Sequence, residues 1–186
     1  MKALLSAALG SHGFPGLRLF SECTIIGAFL FNEVEACLCG ILLPVFSLPG
    51  PYGIGTLGKP ARQFIDFLAA GGQKFWQILP LVPPGGGDSP YMSASSFAGN
   101  PLFLDLDELA EEGLITGDEL NSARRDDPDR VDYAWLHGTR MPLLRRAFER
   151  GREKYAAQMA QFEAEEADWL PDYALFLALR AHFDGK

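Results

Sequence analysis

Residues 82–101, VPPGGGDSPYMSASSFAGNP, concentrate side chains able to touch a ligand. One acid (Asp88), one polar aromatic (Tyr91), four serines and an Asn-Pro pair fall in this short stretch. An acid and an aromatic in a loop serve either ligand contact or the capping of turns, and the residue types alone leave both open. Gly85, Gly86 and Gly87 let the backbone approach a neighbour closely or turn sharply. No Lys follows them, so the stretch is not a phosphate loop of the GxxxxGK[ST] kind.

The elements before this loop must aim it. Residues 47–58, SLPGPYGIGTLG, are turn chemistry. Pro60 suits the first turn of a helix, where its missing N–H costs nothing. Ala61, Phe64, Ile65 and Leu68 then recur at the spacing of one apolar helix face. Gly71-Gly72 is expected to end that helix through left-handed dihedrals. Residues 74–81, KFWQILPL, predict a strand buried on both faces, as in a parallel sheet flanked by helices. The loop therefore lies at the C-terminal end of a buried parallel strand, where barrels and open α/β sheets build their sites.

Beyond the loop the chain reads as helical. Asp105 and Glu108 form a variant capping box ahead of Gly113, and Thr116 and Glu119 form a second box. Tyr133, Leu136, Leu143, Leu144 and Phe148 mark one amphipathic stretch; Tyr155, Met159, Phe162 and Trp169 mark another. Pro171 opens a last helix, predicted to turn Tyr173, Leu177 and Ala181 inward. Glu163, Glu165, Glu166 and Asp168 read as a solvated face.

Composition narrows the function. The 186 residues are 48% hydrophobic and 22% charged, within the range of ordinary globular domains. A formal net charge of −8 argues against a general grip on nucleic acid or an anionic membrane. Cys23, Cys37 and Cys39 supply no disulfide framework and suit a reducing compartment, and the scattered histidines (His12, His137, His182) give no zinc spacing. Lys2 and the apolar residues after it look like the start of a signal peptide, but the stretch is short and is broken between Gly10 and Gly16. The apolar run Cys23–Asn32 is too short to span a membrane, and the uncharged residues 36–58 are interrupted by Gly and Pro.

Three blocks carry a resemblance: GILLPVFSLPGPYGIGTLG, FIDFLAAGGQKFWQILPLVP and GDSPYMSASSFAGNPLFLDLDELAEEGL, in that order and spacing. With VDY, PLLRRAFER and WLPDYALFLALRAHFDGK further on, the chain from about residue 38 resembles the amylomaltases, the disproportionating 4-alpha-glucanotransferases. The resemblance implies an α/β fold: the N-terminal part of a (β/α)8 barrel with a helical insertion, truncated at Lys186. Residues 1–37 match nothing in it and are expected to be a disordered or non-native extension, as from a misplaced start. It further implies retaining transfer of α-1,4-glucan segments to another glucan or glucose, in the cytoplasm, with no cofactor, metal, nucleic acid or membrane involved. Retaining transfer needs a nucleophilic carboxylate and an acid/base carboxyl about 5–5.5 Å apart. The family's catalytic carboxylates lie on later strands, so no catalytic residue is expected in this chain, and neither Asp88 nor Glu108 takes that role. Tyr91 matches a family tyrosine that stacks on the sugar beside the scissile bond, with Ser89 and Asp88 in the same motif. A tyrosine common before that motif in the family is replaced here by Gly86-Gly87, which puts a secondary glucan site in doubt. A non-catalytic glucan-binding fragment and a helical interaction protein are the alternatives. An isolated chain of this kind is expected to leave Phe75, Trp76, Ile78 and Leu79 without neighbouring strands.

Overall fold

The computed structural model describes residues 18–20, 39–125 and 130–183. The signal-like start, the Cys23–Asn32 run and nearly all of the expected extension at 1–37 lie outside those residues. Three short parallel strands form a sheet in the order β1-β3-β2: β1 (Arg18–Phe20), β2 (Gly40–Leu42) and β3 (Phe75–Gln77). Among the described residues six α-helices follow the strands or connect them: α1 (Lys59–Ala70), α2 (Leu106–Glu111), α3 (Gly117–Ser122), α4 (Tyr133–Gly151), α5 (Ala156–Glu165) and α6 (Leu170–His182). Among the described residues no helix is long and apolar enough to cross a membrane.

Helix α1 forms where the sequence predicts it. A proline sits in its first turn, Ala61, Ile65 and Leu68 are buried, and Gly72 just beyond its end takes φ 70°. The strand is shorter than expected. Regular pairing covers only 75–77 of the predicted 74–81, and the burial is one-sided: Trp76 is 1% exposed, Phe75 is half-buried and Gln77 is exposed. Pro80 lies in the stretch that departs from the ladder, and proline contributes no N–H to pairing. Trp76 does not lack neighbours. Its ring meets Phe64 of α1 edge-on at 5.1 Å between centroids, and its Nε1 donates to Leu43 O at 2.7 Å.

Two hydrophobic clusters share Met141 of α4. The first joins Val45, Leu48, Ile54, Ile65, Leu68, Trp76 and Leu102 under the sheet end. The second joins Leu106, Leu114, Ile115, Leu143, Leu144 and Ala147 around the short helices. Helix α4 reaches both because Leu136 and Leu143, two turns apart, lie on one face. Phe148, read with that face, instead stays 53% exposed.

Asp105 caps α2 by accepting from the N–H groups of Asp107 (3.0 Å) and Glu108 (3.2 Å). The carboxylate of Glu108 does not complete the box. It pairs with Arg62 of α1. Thr116 and Glu119 do form the reciprocal box predicted for α3. Glu119 also accepts from Arg146 Nε at 2.9 Å and from both terminal nitrogens of Arg150, at 2.6 and 3.0 Å. The bonds from Arg150, the Thr116 N–H and Arg146 hold its carboxyl far below the usual range. A depressed folded-state pKa stabilises the fold above the unfolded value, and that contribution is lost as pH falls through the acid range. Glu119→Gln is therefore expected to flatten the acid limb of a melting-temperature profile below about pH 4. An acid limb with unchanged slope would contradict this.

The expectation for the last helix holds only at Tyr173, which is half-buried; Leu177 and Ala181 are exposed. No residue of α6 is buried, and Leu175, Leu177 and Leu179 are 58, 44 and 49% exposed. Its leucines run around the helix rather than along one stripe, so no single inward face gathers them. Helix α5 holds no fully buried residue, yet the expected stripe is its half-buried face: Tyr155, Met159 and Phe162 are half-buried while the residues between them are exposed.

Candidate functional site

The loop after β3 is built by its own small side chains. The N–H of Asn100 donates to Leu81 O at 2.8 Å, so the two ends of the loop are pinned together. Asn100 is 5% exposed, and its Oδ1 accepts from the Leu102 N–H at 3.0 Å, starting a helical turn at Pro101–Phe103. Within the loop, Ser95 Oγ accepts from the N–H groups of Phe97 and Ala98, and Ser93 Oγ from that of Ser95. These serines replace a backbone ladder that an irregular loop cannot form.

Gly85 has the close-approach role and Gly87 the sharp-turn role. A Cβ on Gly85 would stand 1.6 Å from the carbonyl oxygen of Met92, so only glycine lets the two arms of the loop touch. Residues Gly86–Asp88 make a tight turn in which Gly87 (φ 70°) and Asp88 (φ 57°) are both left-handed. Aspartate tolerates that region better than most side chains.

The three candidate residues fall on this turn, with different surroundings. Tyr91 is 64% exposed, and its hydroxyl has no hydrogen-bond partner among the described residues. Ser89 is half-buried, and its Oγ accepts from the Tyr91 N–H at 3.3 Å, while its carbonyl accepts from the Met92 N–H at 3.2 Å. Ser89 therefore shapes the turn that presents Tyr91. Asp88 is exposed, and its N–H donates to Gly85 O at 3.3 Å. Its charge also bears on Tyr133 at the start of α4: burial first, and the Asp88 charge second, push the Tyr133 phenol up.

The loop brings together residues that the sequence reading kept apart. Tyr133, read as part of a core stripe, is half-buried within electrostatic reach of Asp88. Phe97, which drew no notice, is 60% exposed and stacks on Trp169 at 5.8 Å with an interplanar angle of 22°. Trp169 continues to Tyr173 at 6.1 Å and Tyr173 to Phe176 at 6.4 Å, so aromatic rings run from the loop along α6. The separation of four between Trp169 and Tyr173 was a legible signal for one helical face; nothing in the sequence tied Phe97 to them. Trp169 Nε1 donates to Glu166 at 2.5 Å, so Glu166 is partly engaged, whereas Glu163, Glu165 and Asp168 are exposed as read.

Chemically the loop offers an open aromatic face, a free carboxylate and short hydroxyls. That set suits a pyranose, whose C–H faces are apolar and whose edges are polar. Among the described residues, no group of three or more His, Cys, Asp or Glu is placed to hold a metal ion.

Residues 43–186 match the family model described as 4-alpha-glucanotransferase. The chain is 47% identical over 154 residues to the 4-alpha-glucanotransferase of Thermus thermophilus, covering 78% of this chain and 29% of that protein. It is 45% identical over 141 residues to the one from Clostridium butyricum, covering 75% of this chain and 29% of that protein. A solved amylomaltase from Streptococcus agalactiae, in complex with acarbose, superposes with a TM-score of 0.74 at 43% identity, over 80% of this chain and 30% of that one. The chain thus spans about 30% of the length of the relatives it matches.

Proposed function

This chain belongs to the 4-alpha-glucanotransferase family, and on that premise we propose that it furnishes the first strands and the sugar-holding loop of an enzyme that transfers α-1,4-glucan segments. In this reading β2 and β3 are the first two strands of a (β/α)8 barrel, residues 38–186 hold them with a helical insertion, and residues 1–37 are an extension. The substrates are maltodextrins, with a glucan or glucose as acceptor, and the setting is the cytoplasm.

The observation that carries the reading is Tyr91: an open aromatic ring on a loop closed by its own hydrogen bonds, just past the C-terminal end of β3. Tyr91 stacks on the sugar beside the scissile bond. Ser89 holds the turn, and Asp88 places a negative charge at its rim. The chemistry itself is retaining: a carboxylate attacks the sugar, a second carboxyl protonates the leaving oxygen, and the glycosyl-enzyme then passes its glucan to a hydroxyl. We assign neither carboxylate to the described residues.

The test is a hybrid in which residues 43–186 replace the matched part of the Streptococcus agalactiae amylomaltase. The hybrid is expected to convert maltotriose to glucose and longer glucans, and the 186-residue chain by itself is expected to form neither. A hybrid that melts cooperatively but forms no product would overturn the reading, as would disproportionation by the chain alone.

A further inference from the structure

We propose that residues 18–20 occupy the edge of the sheet at which the next parallel strand would pair, and hold that edge closed. The sheet order is β1-β3-β2, so β3 is central and β1 lies on its far side from β2. Both pairings are parallel and use the same register on β3: Leu19 and Ile41 are each aligned with Trp76. The residues that match the family begin at 43, directly after β2, whereas β1 lies well upstream of them.

In a barrel of successive parallel strands, each strand pairs on one side with its predecessor and on the other with its successor. If β2 and β3 are successive strands, the far edge of β3 is the successor's place. This step rests on the barrel reading above. An open edge there would present unpaired N–H and C=O groups, a template for any extended chain. Strand β1 satisfies them from within the same polypeptide. Its described span is three residues, Arg18–Phe20, and a longer strand of matching direction can displace it. The segment and an incoming strand therefore compete for one edge.

Hydrogen exchange followed by mass spectrometry tests this on the 186-residue chain, on a variant lacking residues 1–38 and on Leu19→Pro in the full chain. Proline removes an N–H and fixes a φ unsuited to the ladder centre. The few ladder bonds that β1 supplies should slow local opening roughly tenfold. Peptides covering Phe75–Gln77 are thus expected to exchange about tenfold faster in both variants, with protection of α1 and α4 retained. Unchanged exchange at 75–77 overturns the proposal. Equal loss of protection in α1, α4 and β3 in both variants also overturns it, because the segment would then support the whole fold rather than one edge. No glucan enters the measurement, so an inactive hybrid would leave this result standing.

Discussion

Tyr91→Ala, made in the hybrid carrying residues 43–186, is expected to lower kcat/KM for maltotriose by on the order of 10²-fold. The ring is 64% exposed and its hydroxyl is free of partners among the described residues, so its removal takes little from the fold. What it takes is a stacking face. An aromatic contact is worth about 0.5–1.5 kcal/mol beyond the area it buries, which alone approaches tenfold. The larger part comes from orientation, because a sugar no longer held flat over the turn meets the reacting groups at the wrong angle. Tyr91→Phe keeps the face and loses one hydroxyl, so its defect should be several-fold smaller. Melting temperatures of both variants should match that of the unsubstituted hybrid. A kcat/KM left intact in Tyr91→Ala, with the melting temperature lowered, would mean that the ring packs the loop and touches no sugar.

Parts of this site could be read from residue types. The triple glycine announced a close approach, and the structure supplies it at Gly85 against Met92. Helix α1 and the Thr116–Glu119 box were legible because their signals are local, a four-residue periodicity and a side chain reaching back one turn. The length of β3 was not legible. The apolar run 74–81 fixes burial, but ladder pairing depends on partner strands that local sequence does not specify. The same limit explains Phe97 on Trp169, a contact between residues far apart in the chain. It explains α6 as well. Spacing assigns its apolar residues a direction, yet what that face packs against depends on parts of the fold that local sequence does not specify.

A second large effect is expected away from the loop. Asp105→Ala should destabilise the domain by about 3 kcal/mol, because it removes the cap of α2, leaves the buried Thr56 hydroxyl without its acceptor and takes away a negative charge that favours the buried Arg140 guanidinium. Arg140 is 1% exposed on α4; its Nη2 donates to Leu104 O, while its Nε and Nη1 find no acceptor among the described residues. Burial lowers its pKa to about 10, against the opposing charge of Asp105. Asp105 is itself 7% exposed and is fully employed: Oδ2 accepts from Thr56 Oγ1 at 2.6 Å, and Oδ1 caps α2. One carboxylate therefore ties the turn before α1 to the start of α2, and its charge bears on Arg140 in the middle of α4. Removing it frees a helix end and takes a favourable charge from Arg140 together. Removing Arg140 instead does less harm, since Asp105 keeps three hydrogen bonds. Arg140→Met fills much of the same volume with apolar atoms and removes the two nitrogens that find no acceptor among the described residues. The double variant should then be more stable than Asp105→Ala alone, because the buried guanidinium is gone. Denaturant midpoints of the two single variants and the double form a cycle that measures this directly. If the losses simply add, Asp105 and Arg140 do not sense each other, and the buried guanidinium must be stabilised by something other than this carboxylate.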